Sequence, residues 1–345
     1  MLKGIGNSSR PTAQRTGRAA LDQSFPAIAV ESRTRRLNLV LVATRRQRHL
    51  NDFRKIAQTI RRIAPEIRAT VVKDRVYNVL RPRYLLRPTL TVSPITLRRF
   101  RPLRGEFKQN ILLTKSEEYA VLQAAGLPIP KWALVTEHAT GDLSNFGEYA
   151  VIKPDCGGKG AEVKIKRRSR IRWKPPQNKR AVKNGSSGLI VQDFIYTGQW
   201  PVSYRATTLF GKVLFAWKVT ASQTRRPLLG ADRFREGADG GGMSIVSSGS
   251  GCTFSLTDES DVLALAANAH AAFPDHPLLG FDILREIPSG KLYIIEANSC
   301  GQLWHFSTPT GQSIQRDNRL DFAAQFNGFD VAAQVLIEET RRRAS

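Results

Sequence analysis

The chain of 345 residues has little cysteine and no long apolar run. Its three cysteines, Cys156, Cys252 and Cys300, are far apart and form no CxxC pair, which argues against a disulfide framework and a zinc site. The longest apolar run, residues 37–43, is much shorter than the roughly 20 residues that a membrane-spanning helix needs. These absences predict a soluble, cytoplasmic protein, and 41% hydrophobic residues suffice for a globular core.

Acidic residues are also scarce, and their scarcity is uneven along the chain. The net charge is +24, and residues 1–110 hold 25 basic and 6 acidic residues, against 28 and 23 in the remaining 235. Such a basic region attracts polyanions, including nucleic acid, anionic lipid or acidic polypeptide. An anionic partner for this N-terminal region is therefore one hypothesis, and a merely solvated basic surface is the other.

The first third of the chain divides into a tail and a small domain. Residues 1–36 are rich in Arg, Ser, Gly and Pro without periodicity, which predicts a disordered basic tail. Patterns at 37–43, 50–62 and 67–72 predict strand, helix and strand, and another strand follows near residues 90–92. We expect a small α/β domain over 37–112, in which residues 101–110 are a polar connection.

The rest of the chain alternates short strands with a few helices. Thr114 is the expected N-cap of a helix, with Glu117 in capping-box position and Gly126 at its end. Short strands are expected at 132–135, 149–153, 162–166 and 188–194. A hairpin over 204–219 should turn at Gly211-Lys212. Helices are expected at 258–273, capped by Thr257, and at 321–343, with apolar positions at Phe322, Phe326, Phe329 and Leu336.

A second hairpin, over residues 280–298, carries the most informative polar side chains. Residues 288–290, Pro-Ser-Gly, predict a three-residue loop. The register set by this loop places Asp282 directly opposite Glu296, with Asn298 on the same face. Opposed carboxylates lie about 5 Å apart at Cβ and repel unless a cation lies between them. Magnesium suits such oxygen ligands, although a hairpin of this kind taken alone is more often an exposed polar face on a two-stranded edge.

A glycine-rich segment at residues 148–166 forms the second part of the candidate site. It reads as strand, turn and strand, with Lys153 ending the first strand and Gly157, Gly158 and Gly160 in the turn. Glycines let backbone N–H groups approach a phosphate, and a nearby lysine supplies the countercharge. Neither a P-loop GxxxxGK[ST] nor a GxGxxG after a strand is present, which excludes those two nucleotide-binding folds.

Taken in order, these segments resemble the ATP-grasp superfamily over about residues 100–310. The resemblance is carried by Lys115 ahead of AAGLPIP, by VIKPDCGGKG, LIVQDFI and SYRATTLFGKVLFA, and by GFDILRE with KLYIIEAN. It is strongest to the branch of glutamate-adding (RimK-type) ligases. It implies an ATP-grasp fold in which the N-terminal α/β domain precedes a central subdomain, 113–195, and a C-terminal subdomain, 196–345.

The resemblance also implies roles for individual residues. Lys115 and Lys153 would contact the phosphates of ATP, with the loop of Gly157, Gly158 and Gly160 as a lid. The hinge at the adenine would comprise Gln192, Asp193, Phe194 and Ile195. Magnesium, as two ions and with Mn²⁺ as an alternative, would be held by Asp282, Glu296 and Asn298.

Two arginines are candidates for catalysis, because charge develops on phosphoryl and carbonyl oxygens when a carboxylate is activated. Arg205 stands where the family places such a residue, and Arg235 precedes glycines 240–242 as in the family's Phe-Arg…Gly-Gly segment. Each could also be an ordinary surface charge. Ser203 replaces the acid that relatives carry two residues before this arginine, so ribose binding is left unassigned.

The resulting hypothesis is an ATP- and magnesium-dependent ligase that joins a carboxylate to an amine through an acyl phosphate. Its substrates would be small molecules or peptides. The alternative is a nucleotide-dependent polyanion-binding protein that uses the basic N-terminal region. His305 and Cys300 follow the metal-binding strand, but a single His or Cys near a turn is more often structural. The sequence leaves a homo-oligomer open.

Overall fold

A computed structural model describes residues 36–43, 49–73, 87–97, 105–139, 142–157, 163–174, 188–223 and 252–344. The helices in these ranges are α1 (Leu50–Ile63), α2 (Lys115–Ala124), α3 (Ser260–His270), α4 (Pro309–Asn318), α5 (Phe322–Gln325) and α6 (Gly328–Arg343). The strands are β1 (Leu37–Ala43), β2 (Ile67–Lys73), β3 (Thr89–Ser93), β4 (Glu106–Gln109), β5 (Trp132–Val135), β6 (Tyr149–Pro154), β7 (Lys164–Arg167), β8 (Leu189–Asp193), β9 (Val202–Leu209), β10 (Lys212–Thr220), β11 (Thr253–Leu256), β12 (Leu278–Arg285) and β13 (Leu292–Asn298). No helix in the described ranges has both the length and the apolar character for crossing a membrane. None of the three cysteines is in a disulfide.

The first sheet is parallel, in the order β2-β1-β3-β4. Every residue of β1 is buried, as is typical of a central parallel strand covered on both faces. Helix α1 packs on the sheet through Phe53, Ile56, Ala57 and Ile60, whose spacing is helical. The predicted strand-helix-strand beginning is confirmed. The expected polar connection at 101–110 is wrong in its second half, because β4 pairs with β3 there.

The second sheet is antiparallel, in the order β5-β8-β6-β7, and α2 precedes it. Thr114 caps α2 as predicted: its side chain accepts from the Glu117 amide at 3.2 Å, and Glu117 Oε2 accepts from the Thr114 amide at 2.7 Å. After the helix, Gly126 adopts a φ of 66°, the left-handed conformation that ends many helices.

The third sheet is also antiparallel, in the order β11-β10-β9-β12-β13. The turn between β9 and β10 is Phe210-Gly211 rather than Gly211-Lys212, since Leu209 pairs with Lys212. Both turn residues have positive φ, 46° and 86°. The Phe210 amide donates to the carbonyl of Pro277 at 2.9 Å, which helps hold that residue in its left-handed conformation.

Two helix predictions in the C-terminal part were partly wrong. Thr257 does not cap α3: its amide donates to Ala216 O at 3.2 Å and continues the β11 pairing, and the N-cap is Glu259. The expected helix over 321–343 is two helices, α5 and α6, because Asn327 between them adopts a φ of 52°.

The first and third sheets share one hydrophobic core. Helix α6 contributes Leu336 and Ile337 to a cluster that also contains Leu39 of β1 and Phe215 of β10. The indole of Trp304 donates to buried Asp52 Oδ2 on α1 at 2.8 Å. The predicted mixed α/β class is confirmed, and the structure shows that one small parallel sheet is followed by two antiparallel sheets. The predicted tail falls almost wholly in residues 1–35, outside the described residues.

Candidate active site

The third sheet arranges the candidate residues in one row across four strands. Backbone pairing places Trp217 of β10 opposite Arg205 of β9, Arg205 opposite Asp282 of β12, and Asp282 opposite Glu296 of β13. Directly paired residues point to the same face of a sheet. The sheet therefore presents an aromatic ring, a guanidinium and two carboxylates side by side.

The pairing of Asp282 with Glu296 agrees with the prediction, but it arises differently. The hairpin loop has four residues, 287–290, because the Glu286 amide donates to Lys291 O at 2.9 Å and the Gly290 amide to Glu286 O at 2.8 Å. This loop alone would place Asp282 opposite Ile295. The register shifts by one residue between the pairs Asp282–Glu296 and Ile283–Ile294, so Ile295 is an extra, bulged residue. The bulge restores the pairing that the shorter predicted loop would have given.

Asp282, which is buried, and Arg205, which is partly buried, form a bidentate ion pair. The Nε of Arg205 donates to Oδ1 at 2.6 Å and its Nη2 donates to Oδ2 at 2.5 Å. Burial raises the pKa of Asp282, and the guanidinium offsets part of that shift. The guanidinium also lies 5.9 Å from the ring centre of Trp217, within range of a cation–π contact. Arg205 is therefore fixed in the site and is not a free surface charge.

Lys115 provides the matching cation for Glu296. Its Nζ lies 2.8 Å from Glu296 Oε1 and donates to Gly157 O at 3.2 Å. Burial by itself lowers the pKa of Lys115, but the charges of Glu296 and Glu118 raise it above its usual value. Burial alone would raise the pKa of Glu296, but the positive charges of Lys115 and Lys153 lower that pKa to about 2. Both members of the pair are charged at neutral pH.

Lys153 reaches the same place from β6 of the second sheet. Its Nζ donates to the carbonyl of Ile295, the bulged residue, at 2.9 Å and to Tyr119 Oη at 3.1 Å. Burial lowers the pKa of Lys153 to about 8, although Glu296 opposes this effect. Tyr119 Oη also lies 2.9 Å from Ile295 O and 2.6 Å from Gln192 Oε1. This contact joins the predicted hinge to the lysine.

Sequence reasoning missed three residues that build the site. Tyr119 and Glu118 lie on the buried face of α2, where Glu118 Oε2 accepts from the Ala297 amide at 3.3 Å. Burial raises the pKa of Glu118 well above its usual value. Asp155 Oδ1 accepts from the Ser116 amide at 2.8 Å and fixes the start of α2. The predicted helix start carried the signal, since residues three and four after Lys115 share its face.

The remaining predicted nucleotide residues form the end of β8 and the segment after it. Gln192 is buried and pairs with Val151 of β6 and Trp132 of β5. Phe194 packs with Tyr149, and Ile195 is buried. Burial raises the pKa of Asp193. Gly158, Gly160 and Arg235 lie outside the described residues, so only Gly157 of the predicted loop is located.

His305 and Cys300 lie close to the site but belong to its supporting structure. The His305 ring makes an edge contact with Trp217 at 4.9 Å, and its Nδ1 lies 3.0 Å from Leu303 O. Burial, aided by Arg205, lowers its pKa to about 3, so the ring is neutral. Burial raises the pKa of the Cys300 thiol.

The donor set of the hairpin fits a hard divalent cation. Asn298 Nδ2 donates to Gly280 O at 3.2 Å and to Asp282 Oδ2 at 3.3 Å, which leaves its amide oxygen as an acceptor. In the part of the chain that the structure describes, no group of three or more His, Cys, Asp or Glu could hold a metal. Two carboxylates and one amide suit magnesium, which takes further ligands from water and phosphate. Here Arg205 and Lys115 already balance the two carboxylates, so their proximity alone does not require a metal.

Comparison with known proteins gives matches in structure only. No protein family and no curated protein matches the chain by sequence. The fold is similar to D-alanine–D-alanine ligase from Bacillus anthracis, with 11% identity over 88% of this chain and 99% of that chain and a TM-score of 0.44. It is also similar to the D-cycloserine synthetase DcsG, with 14% identity over 87% of this chain and 99% of that chain and a TM-score of 0.47. A third similar structure is the ATP-grasp ligase PsnB complexed with a minimal precursor, with 13% identity over 87% of this chain and 99% of that chain and a TM-score of 0.49. At these identities and scores, the function has to be inferred from the site itself.

Proposed function

We propose that the protein is an ATP-grasp ligase that uses ATP and magnesium to join a carboxylate to an amine. One observation carries the proposal: three cations and two carboxylates meet between the second and third sheets, with Lys115, Lys153 and Asp282 buried and Arg205 and Glu296 partly buried. Lys115, Lys153 and Arg205 face Asp282 and Glu296 there. Burying charge is costly, so such a cluster is typical of a site that handles charged substrates.

The arrangement suits a nucleoside triphosphate lying between the two sheets. The two lysines supply positive charge for its phosphates, and the end of β8 with the segment after it, residues 192–195, offers the surface for its base. Asp282, Glu296 and Asn298 would hold the magnesium. When bound, magnesium would neutralise charge on the phosphate oxygens and thereby favour attack on the γ-phosphorus.

The proposed reaction has two steps. A carboxylate oxygen of the first substrate attacks the γ-phosphorus, the bond to the bridging oxygen breaks, and ADP leaves with that bond's electron pair. The amine of the second substrate then attacks the acyl carbon, phosphate departs, and the amine loses a proton to solvent. Arg205, whose Nη1 is not used by Asp282, is placed to stabilise charge on the reacting oxygens. Lys115 and Lys153 hold the phosphates.

We assign the substrate class more narrowly as an acidic or peptide carboxylate and an amino-acid or peptide amine, as in the glutamate-adding branch.

The contacts of Tyr119 with Gln192, Lys153 and the Ile295 carbonyl support a site assembled from both sheets. Domain limits of 37–112, 113–195 and 196–345 follow the three sheets. We also assign Arg235 and the glycines 158 and 160 to the site, on the resemblance of their sequence segments alone.

The test is ADP release by the purified protein with ATP, magnesium and a panel of amino acids and acidic peptides. Product mass should show loss of one water between the two substrates. Asp282→Asn should lower turnover about 100-fold or more, because it removes a ligand charge. Asp261→Asn is the matched control, since Asp261 lies on α3 and pairs with Arg285. Equal turnover of wild type and Asp282→Asn would remove the site assignment.

A second candidate role has one specific observation in its favour. The charged residues exposed on α1 are all basic, namely Arg54, Lys55, Arg61 and Arg62. An anionic partner on this face should bind less tightly as salt rises. In a fluorescence anisotropy titration with RNA or polyglutamate, Arg61→Glu with Arg62→Glu should weaken binding and flatten the salt dependence. Binding that neither salt nor these changes affect would remove this role.

A further inference from the structure

Lys115 is attached to a rigid part of the molecule, and its ammonium group contacts two different elements. The Lys115 amide donates to Asp155 O at 3.0 Å, and the Thr114 capping box fixes the same turn of α2. From this anchored position Nζ reaches Glu296 Oε1 at 2.8 Å and Gly157 O at 3.2 Å. The lysine therefore spans from the proposed metal ligand to the glycine loop.

The oxygen that Lys115 contacts belongs to a carboxylate that the proposed function assigns to magnesium. A magnesium ion binds a carboxylate oxygen at about 2.0–2.1 Å. An ammonium hydrogen-bonded to the same carboxylate would then face a divalent cation at short range in a buried site, where like charges repel strongly. The ammonium and the metal are thus competitors for Glu296.

We propose that Lys115 makes metal binding depend on the nucleotide, by occupying Glu296 until phosphate offers the ammonium group another partner. This inference rests on the proposed function. In the nucleotide-free protein the Lys115–Glu296 pair keeps the carboxylate neutralised. A bound triphosphate supplies new oxygens for Lys115, and Glu296 then becomes available to the metal. Coupling of this kind is reciprocal, so the metal strengthens nucleotide binding by the same factor.

Lys153 is a matched control, because it carries the same charge in the same cleft but forms no ion pair with a carboxylate in the described part of the chain. Its Nζ donates to the backbone carbonyl of Ile295 and to Tyr119 Oη. Removing either lysine reduces the positive field at Glu296. Only the removal of Lys115 also frees the carboxylate oxygen.

The experiment measures Mn²⁺ affinity by the loss of the free-ion electron paramagnetic resonance signal, with and without a non-hydrolysable ATP analogue, after subtraction of the loss that the analogue causes in the absence of protein. Without nucleotide, Lys115→Met should bind Mn²⁺ about tenfold more tightly than the wild type, the scale of one lost charge-assisted hydrogen bond. Lys153→Met should gain no more than about threefold. Adding the analogue should strengthen Mn²⁺ binding more in the wild type than in Lys115→Met. The ratio of these two gains should equal the factor by which the variant binds Mn²⁺ more tightly than the wild type without nucleotide.

Several results would contradict the proposal. Equal gains in the two lysine variants would mean that a general field, and not the contact, controls the metal. No gain in Lys115→Met, with native circular dichroism, would mean that Lys115 does not compete. If that variant does not fold, Lys115→Gln serves in its place. Failure of the proposed function is distinct, since no variant would then bind Mn²⁺ even with nucleotide.

Discussion

The central strands of the first sheet and the cleft between the other two sheets bury polar groups of different kinds. Strands β1 and β3 bury neutral groups, such as Asn38 and Thr89, whose side chains meet at 3.2 Å. The cleft instead buries ionised groups, including Lys115, Lys153 and Asp282. Neutral polar groups cost little once they are hydrogen-bonded, whereas buried charges rarely stabilise a fold. The difference separates residues that keep the fold from residues to which the proposed function gives a role in substrate binding.

The largest expected effect comes from Lys153→Met. Activity should fall about 100- to 1,000-fold, because a buried cation at the phosphates is lost. The free energy of unfolding should stay equal or rise by roughly 1 kcal/mol, since burial lowers the pKa of Lys153 and the folded state therefore disfavours its charge. Turnover and urea denaturation at neutral pH measure the two quantities. Lys164→Met, an exposed change on β7, should alter neither.

Leu39→Ala, in the first sheet, should lower the stability of the fold and leave the activity nearly unchanged, which is the converse of the effect of Lys153→Met. Leu39 is fully buried on β1, so the substitution should lower the free energy of unfolding by about 2–5 kcal/mol. The kcat/KM of the molecules that remain folded should stay within about twofold. A large loss of kcat/KM without a loss of stability would show that the two regions are not separable in this way.

Acid should affect both regions alike, through buried histidines. Burial lowers the pKa of His49 and of His270 to about 4 and that of His305 to about 3. In the unfolded chain these histidines take up protons as the pH falls through about 6.5, the usual pKa of histidine. In the folded chain their rings stay unprotonated at that pH. Their contribution to stability is complete above pH 6.5 and is lost as the pH falls toward 4, by about 1 kcal/mol for each histidine at pH 5.5.

Urea denaturation across this range measures the loss. His49→Gln, near the first sheet, and His305→Gln, beside the cleft, should each flatten the pH dependence by about one proton. If only His305→Gln did so, neutral burial would be a property of the cleft alone.

The smallest effect is expected for Arg341→Ala. Arg341 pairs with Glu66 at 2.5 Å, but more than half of the arginine side chain is exposed. Exposed ion pairs contribute about 0–1 kcal/mol, so the free energy of unfolding should change by less than about 1 kcal/mol. Activity should not change. A larger loss would mean that the contact of α6 with the first sheet depends on charge as well as on apolar packing.

Periodicity and turn residues predicted the elements well where local rules control the backbone. Thr114 and Glu117 form the predicted capping box, and β1, α1 and β2 lie where the pattern placed them. The strand β4 was missed because three of its four residues, Glu106, Lys108 and Gln109, are polar, and pairing with β3 determines its conformation. The break at Asn327 was missed because the apolar period continues across it.

The sequence indicated only part of the candidate site and few of its contacts. Asp282 and Glu296 are paired as expected, yet the sequence shows no sign of the bulge at Ile295 that makes this so. The sequence also could not show that Arg205 donates two hydrogen bonds to Asp282, because that contact depends on which strands are neighbours in the sheet. Long-range pairing, which local patterns do not encode, accounts for both omissions.

The bulge at Ile295 has a consequence for how this hairpin could change length. A residue inserted or deleted in a regular hairpin reverses which side chains face the ligand, but a bulge can absorb the change between the loop and the site. Deletion of one loop residue from 287–290 should therefore be tolerated together with loss of the bulge. Such a shortened hairpin would keep Asp282 and Glu296 opposed, but it would no longer turn the Ile295 carbonyl to Lys153 in the same way. Comparison of relatives with three-residue and four-residue loops would thus reveal whether the lysine or the carboxylate pair is the older constraint.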